Sequence, residues 1–157
     1  MSAQDELKKM GEEFREKVER NPTSGVAHFN WGGFLLQEGL LAESENELKA
    51  AIELAENKDI RAEAHALLSN LYKRLGKPDE AINELQKAIT LSPNKGVFHN
   101  NLGMLLVDLD KFEKSIKEFE EAIRLNPEEA AGHSNLGSLL KCRAPLKIWT
   151  GIIGQGG

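Results

Sequence analysis

VFHNNLGMLLV, residues 97–107, decides how the rest of this chain is read. The same shape returns as AGHSNLGSLLK at 131–141 and VAHFNWGGFLL at 26–36, with a looser copy, EAHALLSNLYK, at 63–73. Their shared centre is His-x-Asn-(Leu/Trp)-Gly, with Leu-Ser in the loosest copy. Leu102 and Leu136 lie 34 residues apart, as do His65 and His99. His28 and His65 are 37 apart, which places three extra residues near Glu56-Asn57-Lys58. A fixed period of this length marks a repeat architecture, in which each unit buries its apolar face only by stacking on the next.

Working outward, each of the first three segments in chain order is followed by a second periodic one: ENELKAAIEL, EAINELQKAITLSP and KSIKEFEEAIRLNP. Each unit therefore predicts a pair of helices, A and B. In the third A helix, His99, Leu102, Gly103 and Leu106 fall at i, i+3, i+4 and i+7, a single apolar stripe. Its B helix repeats the pattern with Phe112, Ser115, Ile116, Phe119, Ala122 and Ile123. Pro22, Pro93 and Pro127 stop B helices, because proline disfavours helical geometry in the residue before it. Gly39 and Gly76 occupy A-to-B turns, where a left-handed backbone is often required.

Small residues recur in phase: Gly32, Ser69, Gly103 and Gly137 midway along the A helices, and Ser44, Ala81 and Ser115 on the B helices. Glycine inside a helix costs about 1 kcal/mol against alanine, so its recurrence predicts sites where a side chain does not fit. The fold class is all-α, a solenoid of antiparallel helix hairpins. Full units span about 25–61, 62–95 and 96–129, and the first helix of a fourth spans 130–143. Residues 1–21 form an N-terminal capping helix, with Phe14 and Pro22 spaced like Phe119 and Pro127. Pro145 breaks the pattern and opens an atypical tail, 144–157.

This pattern resembles the tetratricopeptide repeat: 34 residues, large-x-x-Leu-Gly-x-x-large, then Ala-x-x-x-Phe-x-x-Ala, then Pro. The third unit matches through Leu102, Gly103, Phe119, Ala122 and Pro127, with Ser115 at the first Ala. The second matches through Leu68, Tyr72, Gly76, Ala81, Ala88 and Pro93. The first matches through Trp31, Gly32, Gly39 and Ala51 but lacks the closing proline. The resemblance implies a right-handed superhelix whose A helices line a concave groove that holds another protein or peptide.

Composition narrows the alternatives. A net charge of -5 with scattered Lys and Arg opposes nucleic acid, which needs clustered cations to neutralise phosphates. No segment reaches the roughly 20 apolar residues of a membrane span, and the amphipathic N-terminus is no secretory signal, so the expected compartment is cytoplasmic. Cys142, the single cysteine, forms no disulfide within the chain. The four histidines take one equivalent place per unit. Helices pack about 10 Å apart, whereas zinc holds its ligands at about 2 Å; packed or hydrogen-bonded imidazoles are expected, with no metal and no cofactor. The tail GIIGQGG imitates a phosphate loop but does not feed a helix N-terminus as such loops do. No catalytic constellation stands apart from the repetition, so the reading is of a binding protein, not an enzyme.

Groove residues follow from the A-helix face beside the core stripe. They are Phe29, Asn30, Asn70, Lys73, Asn100, Asn101, Met104, Asp108 and Asn135. Asn30, Asn101 and Asn135 recur in phase, with Leu67 interrupting the row. An amide both donates and accepts, so such a row suits the backbone of an extended peptide, as in some family members; equally, these amides serve hydrogen bonds within the scaffold. Other members grip the C-terminal carboxylate of chaperones with Lys, Arg and Asn. Here Asn70 and Asn101 match the asparagines, but Ala66, Ala131 and Asn135 fill the cation places, which opposes that partner. The leading function is a scaffold or adaptor binding an extended peptide. The alternatives are a substrate-recruiting fragment of a larger multidomain enzyme, and a self-assembly module pairing through the C-terminal end and the apolar IWTGII segment.

Overall fold

The computed structural model describes the backbone of residues 2–153 and the side chains of residues 2–142. Regular structure among them is helical throughout: α1 (Ala3–Arg20), α2 (Gly25–Glu38), α3 (Leu41–Leu54), α4 (Lys58–Arg74), α5 (Pro78–Leu91), α6 (Gly96–Asp108), α7 (Phe112–Leu125) and α8 (Ala130–Ile153). The all-α expectation holds. The helices fall into two compact units, Met1–Pro93 and Asn94–Gly157. In the first, α2 pairs with α3 and α4 with α5, while α1 lies on α2, α3 on α4 and α2 beside α4. In the second, α6 pairs with α7, α7 lies on α8 and α6 beside α8.

Local chemistry sets the helix ends. Asn21, Ser92 and Asn126, each just before a proline, close α1, α5 and α7 with φ near -140° and ψ of 74° to 81°. These are the extended backbones that a following proline ring enforces. Ala55 closes α3 without a proline and takes φ -74° and ψ 122° instead. The A-to-B turns need a left-handed residue: Gly39 has φ 80°, Gly76 φ 70° and, at the equivalent place in the second unit, Asp110 φ 56°. Aspartate is one of the few side chains that visits this region, since its carboxylate can bond locally. The three extra residues after α3 do not lengthen the loop. They add a turn to the start of α4, which runs 17 residues against 14 in α2.

Packing explains two of the recurring glycines. A Cβ on Gly103 would stand 2.6 Å from Phe119 Cε1, and one on Gly32 would stand 2.9 Å from Leu48 Cγ. Both lie far inside van der Waals contact, so the B helix rests directly on the A-helix backbone. The hydroxyls of Ser44 and Ser115 then donate to the carbonyls of Gly32 and Gly103 at 2.7 and 2.8 Å. A further close approach lies at Gly25, where a Cβ would fall 2.3 Å from the backbone nitrogen of Ala55.

The structure corrects two expectations at the C-terminal end. Gly137 repeats the position of Gly103, yet an added Cβ there would meet nothing within 4 Å. The tight contact belongs to the following B helix, and no described helix lies on this part of α8. The second correction concerns Pro145, which does not end the helix: α8 continues to Ile153. An interior proline removes one hydrogen bond at about 3 kcal/mol without forbidding a helix that strong formers flank on both sides. The side chains of IWTGII, and the final residues of GIIGQGG, lie outside the described residues.

At the N-terminus, Ser2 and Asp5 form a capping box. α1 meets α2 through Gly11, against whose face the Phe34 ring packs, and through Phe14, whose ring centroid lies 5.7 Å from that of Phe34. No helix among the described residues is long and apolar enough to cross a membrane.

Candidate functional site

Three of the four histidines make the same structural contact. His28, His65 and His99 each present Nδ1 to a carboxylate 19 residues on, Glu47, Glu84 and Glu118, at 2.6, 2.6 and 2.8 Å. Each bond ties an A helix to its own B helix, as the hydrogen-bonded reading expects. Burial alone would raise the Glu84 carboxyl, but hydrogen bonds from His65 and Lys87 outweigh it and hold it below the usual carboxylate range. A lowered folded-state value means that Glu84 stabilises the fold fully above the unfolded carboxylate value, and that this contribution fades as pH falls through the folded one. The acid loss in urea midpoint should therefore be shallower in Glu84→Gln than in the native chain. Parallel curves from pH 7 to pH 3 would refute this assignment.

The A helices α2, α4 and α6 and the start of α8 carry the expected binding residues, and the structure gathers several of them around a cleft in each unit. In the first unit, Phe29, Asn30 and Asn70 line a cleft of about 460 Å³ with Met10, Phe14 and Leu67. Phe29 is half-buried against the core of Leu48, Ala51, Ala64 and Leu68, so it forms a floor, while Asn30 and Asn70 are exposed. Arg74 closes one end and donates to the carbonyl of Leu36. In the second unit, Met104, Asp108 and Asn135 line a cleft of about 300 Å³ with Val107, Ser138 and Leu139.

Three expected residues lie outside both clefts. Lys73 is exposed on α4 and Asn101 half-buried on α6. Asn100 is only 7% exposed. Its Oδ1 accepts from Asn135 Nδ2 at 2.9 Å, a bond that ties α6 to α8. Sequence periodicity put Asn100 and Asn101 on one face, although consecutive helical residues stand about 100° apart and only the packing distinguishes them. Reading the sequence also missed Met10 and Phe14 as cleft residues. Their i, i+4 spacing on an amphipathic helix is the available signal, whereas the capping reading rests on the Phe14–Pro22 spacing.

Stacked helix hairpins with small residues at each crossing define an all-α fold of the repeat-solenoid class. A tetratricopeptide repeat model matches residues 23–94 and a TPR repeat model matches residues 103–141, so the chain belongs to the tetratricopeptide repeat family. No curated protein matches it by sequence. Among solved structures it is similar to MamA, at 19% identity and a TM-score of 0.72, over 91% of this chain and 85% of that one. It is also similar to YrrB, described as a TPR protein with an unusual peptide-binding site, at 19% identity and a TM-score of 0.64, over 88% and 70%. The hetero-tetramer Cut9-Hcn1 of the APC/C gives 19% identity and a TM-score of 0.74, over 82% of this chain and 26% of that one. At these identities the likeness concerns the fold.

Proposed function

We propose that this chain is a non-catalytic interaction scaffold that holds an extended segment of another polypeptide along its A helices. The observation that carries the reading is the pairing, in each unit, of an apolar cleft with amide side chains at its rim. Phe29 and Met104 offer apolar ground for side chains, Asn30, Asn70 and Asn135 at the clefts offer donors and acceptors for a backbone, and Asn101 adds another on α6 outside them. An amide has two N–H groups and an oxygen, so Asn135 keeps capacity for a guest after its bond to Asn100. The peptide-binding site named for YrrB is in keeping with this reading.

The test is a peptide-array or polarisation assay comparing the native chain with Asn101→Ala plus Asn135→Ala. At about 1 kcal/mol for each hydrogen bond lost, affinity for captured peptides should fall roughly tenfold or more, largely irrespective of their side chains. Unchanged affinity in a variant that still melts cooperatively would end the amide reading.

A further inference from the structure

Within the second unit, α7 docks on α6 through a small set of contacts. Phe119 lies on Gly103, and Glu118 meets His99 Nδ1. α8 repeats the α6 half of that set, with His133, Leu136, Gly137 and Leu140 standing 34 residues after His99, Leu102, Gly103 and Leu106. Leu102 and Leu106 are buried, whereas Leu140 is 49% exposed and Gly137 is open. His133 keeps a contact from Nε2 to the Pro127 carbonyl at 3.0 Å. Among the described residues no carboxylate stands at its Nδ1. α8 runs on to Ile153, past the place where α6 turns back, so no described helix is laid on this face.

α1 carries the other half. Glu13, Phe14, Asn21 and Pro22 stand 105 residues before Glu118, Phe119, Asn126 and Pro127. The match is geometric as well: Asn21 closes α1 at φ -140° and ψ 78°, and Asn126 closes α7 at -141° and 81°. Met10 is 45% exposed, and with Phe14, Phe29, Asn30 and Gly33 it bounds the 460 Å³ cleft. In the second unit, Phe119, Asn135 and Ser138 hold the places of Phe14, Asn30 and Gly33, and there the α6 residues Met104 and Val107 face them. The Met10–Phe14 side of the first-unit cleft thus lacks the helix that α6 supplies in the second unit, and α8 is such a helix with its docking face uncovered.

We infer that α8 of one copy docks against α1 and α2 of a second copy, head to tail, so that two chains complete one helical hairpin. Gly137 then lies beneath Phe14, and His133 faces the Glu13 carboxylate, which in the single chain has only an exposed 4.0 Å pair with Lys9. Met10 and Lys17 stand where the small Ser115 and Ala122 lie, so this contact is wider and weaker than the internal hairpins. The interface joins different surfaces, so each added copy leaves one end of each kind for the next. Both readings use the first-unit cleft, so a docked copy and a bound peptide compete there; sedimentation without peptide tests this inference alone, whereas the peptide reading is tested at Asn101 and Asn135.

Sedimentation of the full 157-residue chain over a range of concentrations tests it, together with two variants, Gly137→Arg on α8 and Met10→Glu on α1. Both positions are accessible in the single chain, and circular dichroism melting checks that each variant folds. The native mass should rise with concentration beyond a dimer, and each variant alone should be monomeric. Mixed, the two should form a 1:1 dimer that grows no further, because Met10→Glu supplies an intact α8 and Gly137→Arg an intact α1. A native chain monomeric throughout would overturn the inference. So would association abolished by Gly137→Arg but kept by Met10→Glu, with no heterodimer in the mixture, which would mean α8 pairing with α8.

Discussion

Phe119→Ala is expected to lower the stability of the second unit by about 3–5 kcal/mol, the cost of a large aromatic truncation in a close-packed core. Phe119 is 1% exposed and its ring lies directly on the α6 backbone at Gly103. Collapse cannot easily refill the space. The neighbouring contacts are backbone to ring, and α6 is already held at that crossing by the Ser115 hydroxyl on the Gly103 carbonyl. The loss is large against the roughly 5–15 kcal/mol that a whole domain commands. Repeat units are also stabilised largely through nearest neighbours. Hydrogen exchange should therefore show α6 and α7 amides losing most of their protection while α2 to α5 keep theirs. Uniform loss along the chain, or a change under 1 kcal/mol, would contradict the packing described for this ring.

Gly103→Leu attacks the same crossing from the other side. The added Cβ alone would stand 2.6 and 2.7 Å from two carbons of the Phe119 ring, and three more carbons have to follow it. Overpacking of this kind costs about 1–3 kcal/mol, and the result should lie toward the upper end, because the obstructing atoms belong to a buried ring. Leaving glycine returns about 1 kcal/mol of helix propensity, which is too little to reverse the sign. Gly137→Leu is the control: the same residue type, the same repeat position, and nothing within 4 Å. Propensity acts alone there, so the single-chain melting temperature should hold or rise. Equal destabilisation at both sites would mean that the glycines serve the backbone and not the crossing. Combining Gly103→Leu with Phe119→Leu, which removes part of the obstruction, should recover some of the loss.

Much of this architecture was legible in the residues because a repeat states the same local rule several times. The histidine and glycine beat, the proline stops and the apolar stripes are all short-range signals, set by helix period and backbone sterics. They located the helix pairs, the left-handed turns at Gly39 and Gly76, and the hydrogen-bonded histidines. Met10 and Phe14 were harder to place, since an amphipathic helix reveals which face is apolar but not which neighbour leaves part of it uncovered. Pro145 misled because a local penalty of about 3 kcal/mol can be outweighed by helix-forming neighbours on either side.

Equivalent letters acquired different meanings once the helices were assembled. Gly103 lies beneath a buried ring and Gly137 lies open, although both occupy one place in the repeat. Asn100 is enclosed and bonded to Asn135, while its neighbour Asn101 is half-buried outside either cleft. Periodicity specifies a direction around a helix axis, and that information is carried within the chain segment. Whether something stands in that direction depends on which other helix has been brought there. That is a long-range outcome, and it bound one histidine to glutamate and left another, His133, at an uncovered face.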